Sequence, residues 1–168
     1  KRKEEYKAMI IARQQKIEQR LRLRHFRKEQ AGLKTVLVIQ LAGPNNDIPA
    51  SLKRGGYDLR FIQSRFDFDV VKIVNAIWHI LKQSKIDLII FDFPQKASDV
   101  VDDVKIIATI ERLRAILNAS PTTKNIKLMT RSGLNLDSGG NNQLRNLLKG
   151  ENVENAVWDF LFPKTQGI

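Results

Sequence analysis

Four polar residues stand at the carboxyl ends of segments that read as β-strands: Gln40, Asp92, Thr130 and Lys164. In an open parallel sheet, ligands bind outside the carboxyl ends of the strands, so we expect these residues at one edge. Phosphoryl transfer to an aspartate uses such groups: Asp is the nucleophile, Thr and Lys hold phosphoryl oxygens, and Mg²⁺ neutralises charge. The spacing therefore indicates phosphotransfer chemistry as a hypothesis.

The elements that would position these residues alternate along the chain. Apolar runs predict strands, and apolar residues at helical spacing predict amphipathic helices. The predicted strands are 35–41, 58–62, 87–93, 126–130 and 158–162, and the predicted helices between them are 48–54, 68–83, 100–119 and 143–149. The helix positions expected to face the core are Val71, Val74, Ile77, Trp78, Leu81, Val104, Ile107, Ile110, Leu113 and Leu117. The order predicts an α/β fold: a three-layer open sheet of about five mostly parallel strands.

The region from about Lys34 to Lys164 resembles the receiver domain of bacterial response regulators. The resemblance is carried by the GGYDL entry to the second strand, the DLIIFD segment ending at Asp92, and the hydroxyl of Thr130. It implies a flavodoxin-like or receiver-like fold in which Asp92 corresponds to the phosphoacceptor, Thr130 to the switch hydroxyl and Lys164 to the conserved lysine.

Departures from the receiver pattern change the expected function. Receivers hold Mg²⁺ with a pair of acidic residues after the first strand, where this chain has Gln40 and Leu41, which cannot replace two anionic ligands. Pro94 follows Asp92 closely, and Lys164 precedes Thr165 rather than proline. We therefore expect a pseudo-receiver that is not an enzyme and has no metal and no cofactor. Taken singly, the aspartate, the threonine and the lysine are also consistent with a loop-bonding carboxylate, a strand-end hydroxyl and a solvated tail residue.

A second resemblance concerns the LMTRSG segment, which follows a predicted long helix and precedes a glycine-rich stretch. It looks like the fourth-strand region of the structural, cofactor-free subdomain of polyketide synthase ketoreductases, a degenerate Rossmann fold. This resemblance also implies no activity, since Gly43 is the only glycine in the IQLAGPNND segment at the end of the first strand, and no G-x-G-x-x-G is present there. Phosphate-loop and nucleophile-elbow motifs are absent as well.

Residues 1–32 are expected to form a basic helical arm. Residues 1–34 carry twelve Lys or Arg against four Glu, a net charge of +8 out of +11 for the chain. A narrow stripe of Tyr6, Ile10, Ile17 and Leu21 has nearly coiled-coil spacing, and Gly32 is a plausible stop. The candidates for binding a polyanion are Arg13, Lys16, Arg20, Arg22, Arg24, Arg27 and Lys28.

Composition bounds the remaining possibilities. The 168 residues suffice for one domain, expected at residues 33–168, and no apolar stretch approaches the roughly 20 residues of a membrane span. The chain has no Cys and only His25 and His79, so disulfides and a structural zinc are not expected, and a reducing, cytoplasmic location fits. Because the chain starts at Lys1 without Met, we expect further sequence upstream.

The function predicted from these features is a non-catalytic, receiver-like regulatory or protein-interaction module with a basic helical arm. Its partner would be another protein or an upstream domain of the same chain. The arm could also pack on its own domain, or bind an anionic membrane surface or an acidic protein. The alternatives are a nucleic-acid-binding component of a larger assembly, acting through the arm, and an inactive Rossmann-like subdomain of a multidomain synthase.

Overall fold

The computed structural model describes residues 2–32, 34–41, 47–64, 68–92, 103–131, 144–148 and 150–163, and only the backbone at 21–31, 41 and 103. The chain divides into two compact units, Lys1–Lys34 and Thr35–Ile168. The first contains helix α1, Arg2–Ala31, which ends at Gly32, where a φ of 79° favours glycine. None of the described helices has both the length and the apolarity needed to cross a bilayer.

The second unit contains a parallel sheet of five strands in the order β2-β1-β3-β4-β5. The strands are β1 (Thr35–Leu41), β2 (Asp58–Ser64), β3 (Leu88–Asp92), β4 (Lys127–Arg131) and β5 (Leu144–Asn146). The helices are α2 (Asp47–Arg54), α3 (Val70–Gln83), α4 (Asp103–Asn118) and α5 (Val153–Leu161). This strand order is one of the common doubly wound arrangements and confirms the predicted α/β class.

Alternate residues of each strand point to opposite faces of the sheet, and each face has its own apolar core. On one face Val36, Val38, Leu88 and Ile90 belong to the core that includes residues of α2 and α5. On the other face Leu37, Ile39, Ile89 and Phe91 belong to the core that includes residues of α3 and α4. Helices therefore cover both faces, as the unbroken apolar runs of β1 and β3 predicted.

The predicted fifth strand-helix unit is wrong in both of its elements. Where we expected a helix at 143–149, Leu144–Asn146 pairs in parallel with β4. Where we expected a strand at 158–162, α5 runs over Val153–Leu161. The aromatic residues near Trp158 favoured a strand, but the Asn152 side chain accepts a hydrogen bond from the Asn155 amide at 2.9 Å and so caps a helix.

The core-facing side of α4 was also predicted wrongly in part. Val104, predicted to be buried, is 71% exposed, and Ile107 is exposed too, whereas Ile106 is buried. Ile110, Leu113 and Leu117 are buried as predicted. Because Ile106 and Ile107 are adjacent, the sequence allows two phases of the apolar stripe, and packing against the sheet selects one of them. On α3, likewise, Val71 is exposed and Ile73 takes its place in the core.

The start of α3 provides a test of local helix stabilisation. The Asp69 carboxylate accepts a hydrogen bond from the Lys72 amide at 3.1 Å, satisfying one of the free N–H groups of the first turn. We expect Asp69→Ala to lower the free energy of unfolding by about 1 kcal/mol, measured by urea denaturation, and Asp69→Asn by much less, because Asn is also a good cap. Equal losses in the two variants would contradict a capping role.

Candidate functional site

The carboxyl edge of the sheet carries a row of polar side chains across four neighbouring strands. Parallel pairing aligns Gln63 of β2 with Gln40 of β1, Gln40 with Asp92 of β3, and Asp92 with Arg131 of β4. Residues aligned in this way project from the same face, here the face covered by α2 and α5. The first two are joined by a hydrogen bond from Gln63 Nε2 to Gln40 Oε1 at 3.3 Å.

Asp92 is held at the centre of this row by Arg131. Arg131 Nε donates to Asp92 Oδ1 at 2.8 Å, and Nη2 donates to Oδ2 at 2.9 Å. This two-point arrangement is the strongest and most directional form of a carboxylate–guanidinium pair. The Asp92 side chain is only 1% exposed, so both of its oxygens are buried and engaged.

A second carboxylate, from Asp47 at the start of α2, completes the cluster. Arg131 Nη2 donates to Asp47 Oδ1 at 2.9 Å, and Nη1 donates to Asp47 Oδ2. One guanidinium thus joins the end of β4 to the end of β3 and to the first residue of α2. We call Asp47, Asp92 and Arg131 the carboxylate–arginine cluster; its net charge is −1 when both carboxyls are ionised.

The three groups have shifted acidities with separate causes. Burial raises the pKa of Asp92, and the hydrogen bonds and charge of Arg131 oppose that rise only in part. The hydrogen bond from Arg131 lowers the pKa of Asp47, which is about half exposed. Two carboxylate partners raise the pKa of Arg131 above its ordinary value, mainly through the hydrogen bond to Asp47. The arginine therefore remains a fixed cation and does not act as an acid or a base.

The structure brings together only part of the predicted site. Gln40 and Asp92 are neighbours in the sheet, as expected. Thr130 is buried but aligns with Phe91, the residue before Asp92, so its side chain points to the opposite face. The Thr130 Oγ1 has no hydrogen-bond partner among the described residues.

Lys164 lies outside the described residues, and the reason for including it was wrong. We placed it after a fifth strand at 158–162, but that segment belongs to α5, and β5 ends at Asn146. The described element that precedes Lys164 is therefore a helix and not a strand. The phosphoacceptor, hydroxyl and lysine set predicted from the receiver resemblance is consequently not assembled by the described strands.

The sequence prediction missed both Arg131 and Asp47 as site residues. We ended the fourth strand at Thr130, whereas Arg131 is the last residue of that strand. Residues 132–143, which follow it, lie outside the described part. Strand alternation was the available signal, since it places residue 131 on the same face as Met129 and therefore, by register, beside Asp92.

The cationic residues predicted to bind a polyanion all lie on helix α1. Arg13, Lys16 and Arg20 are exposed. Arg22, Arg24, Arg27 and Lys28 belong to the same helix, but their side chains lie outside the described set. Polyanion binding by these residues remains a prediction.

Three further residues, one histidine and two tryptophans, lie on helices α3 and α5. His79 is exposed, and its Nε2 lies 3.2 Å from Gln83 Nε2 one helical turn away. Trp158 is buried, and its ring centroid lies 4.4 Å from that of Phe162. Trp78 is partly buried. None of these three belongs to the carboxylate–arginine cluster.

The second unit is therefore a doubly wound α/β fold. At the carboxyl edge of its described sheet, the carboxylate–arginine cluster joins two strands and a helix. Within the described ranges, no group of three or more His, Asp or Glu side chains is placed to hold a metal ion. Comparison with protein families, curated proteins and solved structures found no significant match.

Proposed function

We propose that this chain is a non-catalytic, receiver-like regulatory or protein-interaction module. The observation that carries the proposal is the state of Asp92, the residue at the phosphoacceptor position of the resemblance. Its carboxylate is buried, and each oxygen accepts a hydrogen bond from Arg131. A nucleophile needs access to its substrate, and the carboxylate of Asp92 is buried. The two hydrogen bonds from Arg131 also hold both of its oxygens in place.

The charge of Arg131 also stands where receiver domains would need a divalent cation. Receivers use a divalent cation to balance the charge of neighbouring carboxylates. Here a guanidinium lies between Asp47 and Asp92 and neutralises one of their two negative charges. The cluster can therefore serve as a permanent structural link between β3, β4 and α2.

Incubation of the intact chain with acetyl phosphate and Mg²⁺ tests this proposal. We expect no added phosphoryl mass on the intact protein, because Asp92 is neither exposed nor free to attack. An active receiver domain treated in parallel serves as the positive control, and Asp92→Asn identifies any label that arises at another carboxyl. A stable phosphoryl group on Asp92 that is absent from Asp92→Asn would contradict the proposal.

A further inference from the structure

Helix α1 carries three large apolar side chains on a narrow stripe. Tyr6, Ile10 and Ile17 are 62%, 39% and 55% exposed. At 100° per residue they lie within about 40° of one another around the helix axis. The unit Lys1–Lys34 contains no second described element that could cover them. The stripe is therefore not covered by any described element of its own unit.

Two arginines continue the stripe. The positions 6, 10, 13, 17 and 20 alternate in steps of four and three residues, which is the spacing of d and a positions in a coiled coil. Tyr6, Arg13 and Arg20 then occupy d, and Ile10 and Ile17 occupy a. All five side chains are exposed. The seam combines Ile10 and Ile17 at a positions with Tyr6 and two arginines at d positions.

The flanks of the seam are cationic as well. In this register Lys7 follows a d position, and Lys16 precedes an a position, so both border the seam and would face the flanking residues of a paired helix. Both are exposed. A helix that pairs with α1 must therefore present apolar side chains at its centre and negative charge around them.

Three other kinds of partner, a second copy of the chain, a lipid surface and a nucleic acid, match only part of this surface. A second copy in parallel would place Arg13 against Arg13 and Arg20 against Arg20, which like-charge repulsion disfavours. A lipid surface needs an apolar face wider than this narrow stripe. A nucleic acid would pair with the cations and leave Ile10 and Ile17 uncovered. An acidic helix with an apolar stripe covers both kinds of residue.

We propose that α1 pairs with an acidic amphipathic helix of a partner protein, with apolar residues facing Ile10 and Ile17 and carboxylates facing Arg13 and Arg20. This inference rests on the proposed function as an interaction module and names the chemistry of its partner. Pairing would also stabilise α1 itself, because a single polar helix in water gains little from propensity alone.

A synthetic peptide tests the proposed pairing. The probe is a fluorescent four-heptad helix with Leu at a and Glu at d, e and g, titrated with the intact chain at about 0.15 M salt and followed by anisotropy. We expect saturable binding by the wild type. The variant Ile10→Ser/Ile17→Ser should bind at least tenfold more weakly, because the loss of even one apolar contact pair predicts that much. Ile11→Ser is the matched control, since Ile11 is 54% exposed but lies about 100° or more from the stripe.

The charges are tested separately. Arg13→Gln/Arg20→Gln should weaken peptide binding at least tenfold, whereas an added 20-base-pair RNA duplex should not displace the peptide. Circular dichroism of each variant reports whether α1 remains helical, and a peptide-induced gain in helicity in the wild type supports pairing. Since these measurements concern α1 and acetyl phosphate labelling concerns Asp92, a failure of either proposal is recognised independently of the other.

Four results would overturn the inference. The first is the absence of peptide binding by the wild-type chain, and the second is an equal loss of affinity in Ile11→Ser and Ile10→Ser/Ile17→Ser. The third is tighter binding to the RNA duplex or to phosphatidylserine vesicles than to the peptide. The fourth is a concentration-dependent dimer in sedimentation that excludes the peptide.

Discussion

Replacing Arg131 with methionine is expected to be among the most damaging single changes in the chain, lowering the free energy of unfolding at pH 7 by about 3–4 kcal/mol. The variant leaves the Asp92 carboxylate buried without its hydrogen-bond donors, while Asp47 can turn to water because it is half exposed. The loss is limited to about 4 kcal/mol because Asp92 can take up a proton instead of remaining charged. Urea denaturation at equilibrium measures the difference.

The pH dependence identifies the cause of this loss. In the variant, burial still raises the pKa of Asp92, and Arg131 no longer opposes it, so the folded state holds a proton that the unfolded state releases at neutral pH. Stability of the variant then rises as the pH falls from 7 towards 5, by up to about 1.4 kcal/mol per pH unit. In the wild type the raised pKa of Asp92 has the same sign of effect but a smaller one, because Arg131 opposes the rise, and the lowered pKa of Asp47 removes stability only below its ordinary value. The difference between wild type and variant should therefore shrink on acidification.

Arg60→Met is the matched control for Arg131→Met. Arg60 Nη1 donates to Asp58 Oδ1 at 2.9 Å, but both side chains are substantially exposed on the edge strand β2. An exposed ion pair contributes only about 0–1 kcal/mol, so its loss should be small. A loss of stability in Arg131→Met no larger than that in Arg60→Met would mean that the carboxylate–arginine cluster is not a structural link.

Phe91→Ala is expected to have an effect of similar size through a different mechanism. Phe91 is fully buried in β3, at the centre of the sheet, and belongs to the core shared with α3 and α4. Truncation removes the transfer free energy of the ring and leaves a cavity that the surrounding strands cannot close, at a cost of about 3–5 kcal/mol. Chemical denaturation gives the loss, which should not depend on pH.

Phe61→Ala is the matched control for Phe91→Ala, because it removes the same ring from another strand of the sheet. Phe61 lies on the edge strand β2 and is 46% exposed, so we expect a loss several times smaller. Similar losses in the two variants would contradict the assignment of β3 to the centre and β2 to the edge.

The central part of the fold was predictable because its signals are local. The apolar runs that became β1 and β3 are too continuous for a strand with one wet face, and this alone indicated a parallel sheet covered on both sides. The fifth unit was not predictable in the same way. Leu144–Asn146 is too short for its period to separate strand from helix, and its pairing with β4 is decided by contacts across the chain.

The candidate site was predictable only to the level of the sheet edge. The rule that ligands gather at the carboxyl ends of strands correctly joined Gln40 with Asp92. It could not show that Arg131 binds Asp92 and Asp47, since Asp47 is 84 residues away in sequence. The rule also grouped Thr130 with Asp92. Asp92 aligns with Arg131, one residue after Thr130, so the side chains of Thr130 and Asp92 point to opposite faces of the sheet.

The two edges of the sheet differ in how readily they can grow. At one edge the described part of β5 is only three residues long, too short for stable pairing with an incoming strand. At the other edge β2 is seven residues long, is the outermost strand of the described sheet and carries the partly exposed ring of Phe61. Charged side chains on an edge strand oppose the addition of further strands, and Asp58 and Arg60 both lie on β2. Aggregation by sheet extension would therefore begin at β2, and these two charges are its main obstacle.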